Sequence, residues 1–168
     1  DLTKDWQSKG VPLFKTYFQA LAAAMKQLPE LAAAGGAKNT NFIINGFSYT
    51  FQITDTELNA FLRKKNELFN NMTFTFTDKN VIAEGKQDNI AITIKGHYTL
   101  HAVQDNYIIR FVVDELTFNG FKLPQTTIEE LEKQFDLGIY PQSMASFLQL
   151  TGMTMVPGKL SIQLKFKL

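Results

Sequence analysis

The chain has 168 residues and a mass of 19.0 kDa, is 45% apolar and 20% charged, and sets 17 Lys and Arg against 16 Asp and Glu for a net charge of +1. That is the make-up of one folded domain, residues 1–168, and it argues against a disordered, fibrous or polyanion-binding chain. With 15 Phe, two His, one Trp and no Cys, thiolate zinc sites, iron–sulfur clusters, thiol nucleophiles and disulfide chemistry are excluded, and no cofactor is expected.

No window approaches the ~20 consecutive apolar residues of a membrane span. The chain opens on Asp1 rather than Met, from which a trimmed start is expected, with any export signal or anchor lying upstream.

Over residues 11–34 the apolar Phe14, Tyr17, Phe18, Leu21, Met25 and Leu28 recur at three- and four-residue steps, the stripe of an amphipathic helix. Pro12 suits its first turn, Pro29 is expected to kink or interrupt it near Leu28, and Gly35-Gly36 ends it. A polar loop follows over 37–41. Residues 42–45 and 47–53 then read as short extended segments around Asn45-Gly46, a hairpin signal. Thr54 and Glu57 have the spacing of a capping box, and Ile53 and Leu58 that of a hydrophobic staple. A second helix therefore starts here, with Leu58, Phe61, Leu62 and Leu68 or Phe69 on its stripe and Arg63, Lys64, Lys65 and Asn66 toward solvent.

After Asn70-Asn71 the hydrophobic period changes to two. Strands are expected over 72–77, 81–86, 90–103 and 107–118, separated by Asp78-Lys79-Asn80, Gln87-Asp88-Asn89 and Gln104-Asp105-Asn106. Connections this short require antiparallel pairing, hence a meander. Gly96 in the long third strand is a natural bend or bulge point. A turn at Asn119-Gly120 leads to short helices over about 127–135 and 142–150, and the chain closes with extended stretches over 153–156 and 160–168, joined across Pro157-Gly158. This is an α+β pattern.

Reactive groups are sparse. His97 and His101 lie four apart in a strand pattern, roughly 13 Å along an extended chain, which is too far for one metal ion without a sharp bulge. They read as polar residues on the outer strand face. No nucleophile elbow is present, no carboxylate pair stands out, and Glu129, Glu130 and Glu132 are expected near a helix start, where they complement its dipole. Arg63-Lys64-Lys65 reads as a solvated helix face. Asn71-Met72-Thr73 fits an N-glycosylation acceptor, which matters only in a secreted eukaryotic context. What is in excess is apolar surface. The strand over 107–118 reads as apolar on both faces, with Tyr107, Ile109, Phe111 and Val113 on one and Ile108, Val112, Leu116 and Phe118 on the other. Either helices cover both faces, or more lining is present than one core needs.

The phrase Phe51-Gln52-Ile53-Thr54-Asp55-Thr56-Glu57-Leu58-Asn59-Ala60-Phe61-Leu62 and the later turn Phe118-Asn119-Gly120-Phe121-Lys122-Leu123-Pro124 resemble those of small bacterial relatives of the tubular lipid-binding superfamily, to which bactericidal/permeability-increasing protein belongs. The block order over residues 42–168 is similar as well. The resemblance implies a curved antiparallel meander wrapped around a long N-terminal or central helix, with short additional helices, and an apolar groove that holds lipid tails without catalysis. The Ala-rich first helix has no counterpart in it and is expected to plug or line the groove.

The leading expectation is a noncatalytic protein that binds or transports a lipid or other hydrophobic small molecule, placed in the periplasm, outside the cell, or anchored on the outer side of a membrane, with peripheral membrane contact. Nucleic acid is not an expected partner, and no protein partner is specified. Periodicity nominates Phe14, Phe18, Leu21, Phe61, Phe74, Phe76, Ile92, Tyr98, Phe111 and Phe147 as liners. The alternative is a structural or protein-interaction domain with a fully packed core and no ligand. A third reading, an enzyme with a dispersed site around His97, His101 and an acidic residue, has less support.

Overall fold

The helix stripes and strand alternations resolve into an α+β arrangement, seen in a computed structural model that describes residues 2–28, 30–33, 42–46, 48–104, 106–140 and 148–166. In chain order the helices are α1 (Leu2–Asp5), a π-helical segment (Trp6–Gly10), α2 (Val11–Met25), α3 (Glu30–Ala33), α4 (Asp55–Lys65), a 3₁₀ turn (Glu67–Asn71) and α5 (Gln125–Gln134). The strands are β1 (Phe42–Asn45), β2 (Ser48–Thr54), β3 (Met72–Phe76), β4 (Val81–Gln87), β5 (Ile90–Val103), β6 (Asn106–Phe118), β7 (Phe121–Lys122), β8 (Leu148–Val156) and β9 (Lys159–Phe166).

The expected meander is a five-stranded antiparallel sheet in the order β3-β4-β5-β6-β7. Its turns are set by local chemistry. Asp88 and Asn89 take φ of 49° and 65°, and Asn119 and Gly120 take 48° and 82°, the left-handed pairs that close two-residue hairpins. A second antiparallel sheet, β1-β2-β9-β8, joins the first hairpin to the last two strands. Pro157 and Gly158, the latter at φ 86°, close β8 on β9, and the Gly158 N–H donates to Phe76 O at the edge of the other sheet.

The first helix begins earlier than its stripe suggests. Helical backbone runs from Leu2 through the π-helical segment into α2, and Trp6 from this leader is buried and stacks on Phe121, with ring centroids 6.0 Å apart. α2 stops at Met25, a tight turn carries the chain to Leu28, and α3 resumes at Glu30, so the helix is interrupted around the expected place; Pro29 and Gly35-Gly36 lie outside the described residues.

Phe14, Tyr17, Phe18, Leu21, Ala24 and Met25 of α2 join residues of both sheets, α4 and α5 in one contiguous core cluster. The Tyr17 hydroxyl, carried into this interior, donates to Gln87 Oε1 at 2.7 Å. Without such a partner, burying it would cost roughly 1–3 kcal/mol.

α4 shows why its sequence folds as it does. The Thr54 side chain accepts from Glu57 N–H at 3.1 Å while Glu57 accepts from Thr54 N–H at 3.0 Å, a complete capping box, and Ile53 and Leu58 are both buried beside it. Asp55, Asn59 and Arg63, four apart, lie along the free edge of β3. Asp55 accepts from Phe76 N–H, Asn59 accepts from Phe74 N–H at 2.7 Å and donates to Phe74 O at 2.9 Å, and Arg63 donates to Phe69 O and Met72 O. A stripe of helix side chains thus replaces the missing neighbour strand and leaves this edge closed to pairing. Arg63, expected to face only solvent, has its guanidinium engaged in this way.

Three further expectations are corrected. Leu148–Leu150, read as the end of a helix, belong to β8, because their alternation pairs with β9; the rest of that segment, with Met144 and Phe147, lies outside the described residues. α5 starts at Gln125 after Pro124, earlier than expected, so no acidic residue lies in its first turn and the dipole does not explain Glu132. The third concerns β6. The β5–β6 register slips between Lys95 and Gly96, with Asp114 as the extra residue. The bulge moves Leu116 and Phe118 onto the same face as Val113, Phe111 and Ile109, and Ile109, Val113, Leu116 and Phe118 are all buried at 1% exposure or less. β6 therefore has one apolar inner face, and Ile108, Arg110, Val112, Glu115 and Thr117 face outward. Gly96 is required there, since a Cβ would lie 2.3 Å from Phe111 Cζ and 2.5 Å from Val112 O.

Candidate functional site

The residues nominated as liners divide into two groups. Phe14, Phe18, Phe61, Phe76 and Ile92 are buried in the packed core, where Phe18 meets Phe14 and the edge of Phe135. Leu21, Phe74, Tyr98 and Phe111 instead meet around a narrow cleft between α2, α4 and the meander, completed by Met25, Leu58, Leu62, Val81 and Leu137. Phe147 lies outside the described residues. Met25, Leu58 and Leu62 share helix stripes with nominated residues, so the same periodicity carried their signal. Leu137 has no such signal because it sits in the extended segment after α5.

The cleft is apolar and almost closed. Its free volume is about 30 Å³, room for roughly one water molecule, whereas pockets that hold small-molecule ligands run to roughly 300–1,000 Å³. Tyr98 and Phe111, like Leu137, are only partly buried. They are cross-strand neighbours with ring centroids 5.1 Å apart, and desolvation pushes the Tyr98 phenol well above the usual tyrosine range. Both sit where β5 and β6 have run past β4, whose pairing with β5 stops at Val81 and Gly96. From here the hairpin is a two-stranded arm, and its outer part exposes Leu100, Val103 and Tyr107.

Next to the cleft lies an open groove of about 600 Å³ between β6 and the stretch from Glu132 to Tyr140. The two spaces share Phe111 and Leu137. β6 is an edge strand here, since β7 pairs only with Thr117 and Phe118. Ile109 exchanges both main-chain hydrogen bonds with Ile139, and Val113 N–H is taken by Glu132 Oε2 at 2.9 Å. Phe111 lies midway between them with the same outward parity, and its N–H and C=O have no partner among the described residues. At the far wall Asp136 accepts from Gly138 N–H and from the Tyr140 hydroxyl. That hydrogen bond, followed by desolvation, pushes the Tyr140 phenol up to about 12.

The histidines do not form a site together. His97 Nδ1 lies 2.7 Å from Asp114 Oδ2 at the bulge, on a surface where both side chains are 36% exposed. His101 is exposed further along the arm. Beside the bulge a second open cleft of about 550 Å³ carries Lys95, Asp114, Glu115 and Lys122, two of which, Lys122 and Glu115, form an ion pair at 3.0 Å. Among the described residues no three His, Asp or Glu side chains gather where a metal ion would sit, and no helix is long and apolar enough to cross a membrane. No family model, curated protein or solved structure matches the chain.

Proposed function

We propose that this protein is a noncatalytic carrier or receptor for a lipid or similar hydrophobic small molecule, acting at the cell envelope, and that the tail enters the cleft between α2, α4 and the β5–β6 arm. The observation that carries the reading is the cleft itself, an apolar space at the junction of helix and meander, lined by Leu21, Met25, Phe74, Tyr98 and Phe111. The sequence resemblance to tubular lipid-binding proteins supports the same placement. Entry requires the cleft to widen, and the wall best placed to move is the arm beyond Gly96, which β4 no longer holds. Tail burial provides the driving force, about 25 cal/mol per Å² of apolar surface removed from water.

A second reading, a packed interaction domain without ligand, is favoured by the small free volume of about 30 Å³. Native mass spectrometry of the purified protein, followed by organic extraction, separates the two. Stoichiometric acyl chains that survive purification support the carrier. Bare protein that also fails to take up added lipid supports the packed domain.

A further inference from the structure

Resting on the carrier reading, we infer that the ligand is an anionic amphiphile, with its tail in the apolar cleft and its acidic head in the neighbouring groove, held by Arg110, Lys133 and the Phe111 N–H. The adjacency of the two spaces is the first support. Phe111 and Leu137 wall both of them, so a molecule with its tail in the cleft reaches the groove at the β6 edge by displacing this shared wall.

The second support is the hydrogen-bonding state of the groove. Its formal charges balance, with Arg110 and Lys133 set against Glu132 and Asp136, but both carboxylates are engaged by the protein's own donors whereas the two cations are not. Glu132 is occupied by Val113 N–H, and Asp136 by Gly138 N–H and the Tyr140 hydroxyl. Arg110 and Lys133 have no carboxylate within ion-pair distance among the described residues, and both are exposed. The Phe111 N–H is a further unused donor on the same strand edge. Two cations without a carboxylate partner and the Phe111 N–H outnumber the one unpartnered acceptor, the Phe111 C=O, and such an excess of donors favours an acceptor-only head, such as a carboxylate or a phosphate, which Arg can bind through two parallel hydrogen bonds. The groove that these donors line has about 600 Å³, ample for either head and within the ordinary range for ligand pockets.

The test uses dodecanoate, dodecyl phosphate and dodecanol, which share one tail and differ in the head, titrated against the full chain by calorimetry at low ionic strength. Both anions are expected to bind at least tenfold more tightly than the alcohol, with the advantage shrinking in salt. In the double variant Arg110→Gln/Lys133→Gln, the anion affinity is expected to fall to that of the alcohol. Because both side chains are exposed and unpaired, circular dichroism and thermal unfolding of the variant are measured alongside and are expected to match the wild type. Dodecanoate above dodecyl phosphate identifies a fatty-acid carboxylate as the natural head, and the reverse order identifies a phosphate-bearing lipid. Equal binding of alcohol and anions, or an anion preference that survives in the double variant, overturns the inference while leaving the carrier intact. Failure of all three to bind overturns both.

Discussion

Asn59 is the single buried amide or charged side chain among the described residues, and replacing it with leucine removes the clasp on β3. Two hydrogen bonds are lost, Phe74 N–H to Oδ1 at 2.7 Å and Nδ2 to Phe74 O at 2.9 Å. Each is worth about 1 kcal/mol net, and each leaves a buried main-chain group that costs about 1–3 kcal/mol when unsatisfied. Leucine is close to isosteric and recovers part of this through apolar burial, so the expected net loss is about 2–4 kcal/mol. At roughly 2–4 °C per kcal/mol for a domain of this size, Tm should fall by roughly 5–15 °C. Urea unfolding followed by circular dichroism measures the loss directly. Asn59→Asp gives a matched control, because it keeps the acceptor for Phe74 N–H but sets a negative oxygen against Phe74 O. Its loss should exceed that of leucine at neutral pH and shrink as the carboxyl is protonated. A leucine variant within 1 kcal/mol of wild type would refute the view that α4 closes this sheet edge by hydrogen bonding.

Gly96→Ala should cost about 1–3 kcal/mol by overpacking against Phe111 and the Val112 carbonyl, read as a lowered urea midpoint with an unchanged m-value. Tyr17, Tyr98 and Tyr140 all have raised phenol values, that of Tyr140 to about 12. Native protein therefore keeps protons that the unfolded chain loses above about pH 10, and stability should fall as pH rises between about 10 and 12. Ultraviolet titration at alkaline pH should show Tyr140 ionising later than an ordinary tyrosine and returning toward 10 in Asp136→Asn; an unchanged Tyr140 titration in that variant would contradict the assignment. His97→Ala removes a half-exposed pair with Asp114 and should change stability by no more than about 1 kcal/mol. A larger loss would mean that the pair holds the bulge.

Much of the fold could be read from local chemistry. The capping box at Thr54 and Glu57, the positive-φ turns at Asp88-Asn89 and Asn119-Gly120, and the strand alternations each act within a few residues and did what their side chains dictate. What escaped depends on partners distant in sequence. Nothing in β2 or β9 alone specifies that Phe51 pairs with Ile162. The bulge at Asp114 defeats a parity argument, because one extra residue turns an apparent second apolar face into more of the first. The sequence alone points the Glu132 carboxylate at a helix dipole, because its contact with Val113 N–H exists only once α5 has docked on β6.

The candidate site was legible to a similar depth. Periodicity identified apolar side chains that turn inward, and Leu21, Phe74, Tyr98 and Phe111 do meet at the cleft. It could not separate these from Phe14, Phe18 and Phe76, which are in the packed core, because a cleft and a filled interior differ by shifts of a few ångströms rather than by pattern. Nothing in the sequence sets Arg110 and Lys133 apart from other surface cations. Only the closed bonds of Glu132 and Asp136 distinguish them.

The most direct measurement is displacement of a fluorescent fatty acid from the wild type and from Leu137→Trp, which fills the shared wall of cleft and groove at a partly buried position. A saturable one-to-one isotherm in the wild type, weakened at least tenfold in a variant that still unfolds cooperatively, is the expected result. Absence of saturable binding in the wild type, or equal binding in a folded Leu137→Trp protein, would contradict a tail site between α2, α4 and the β5–β6 arm.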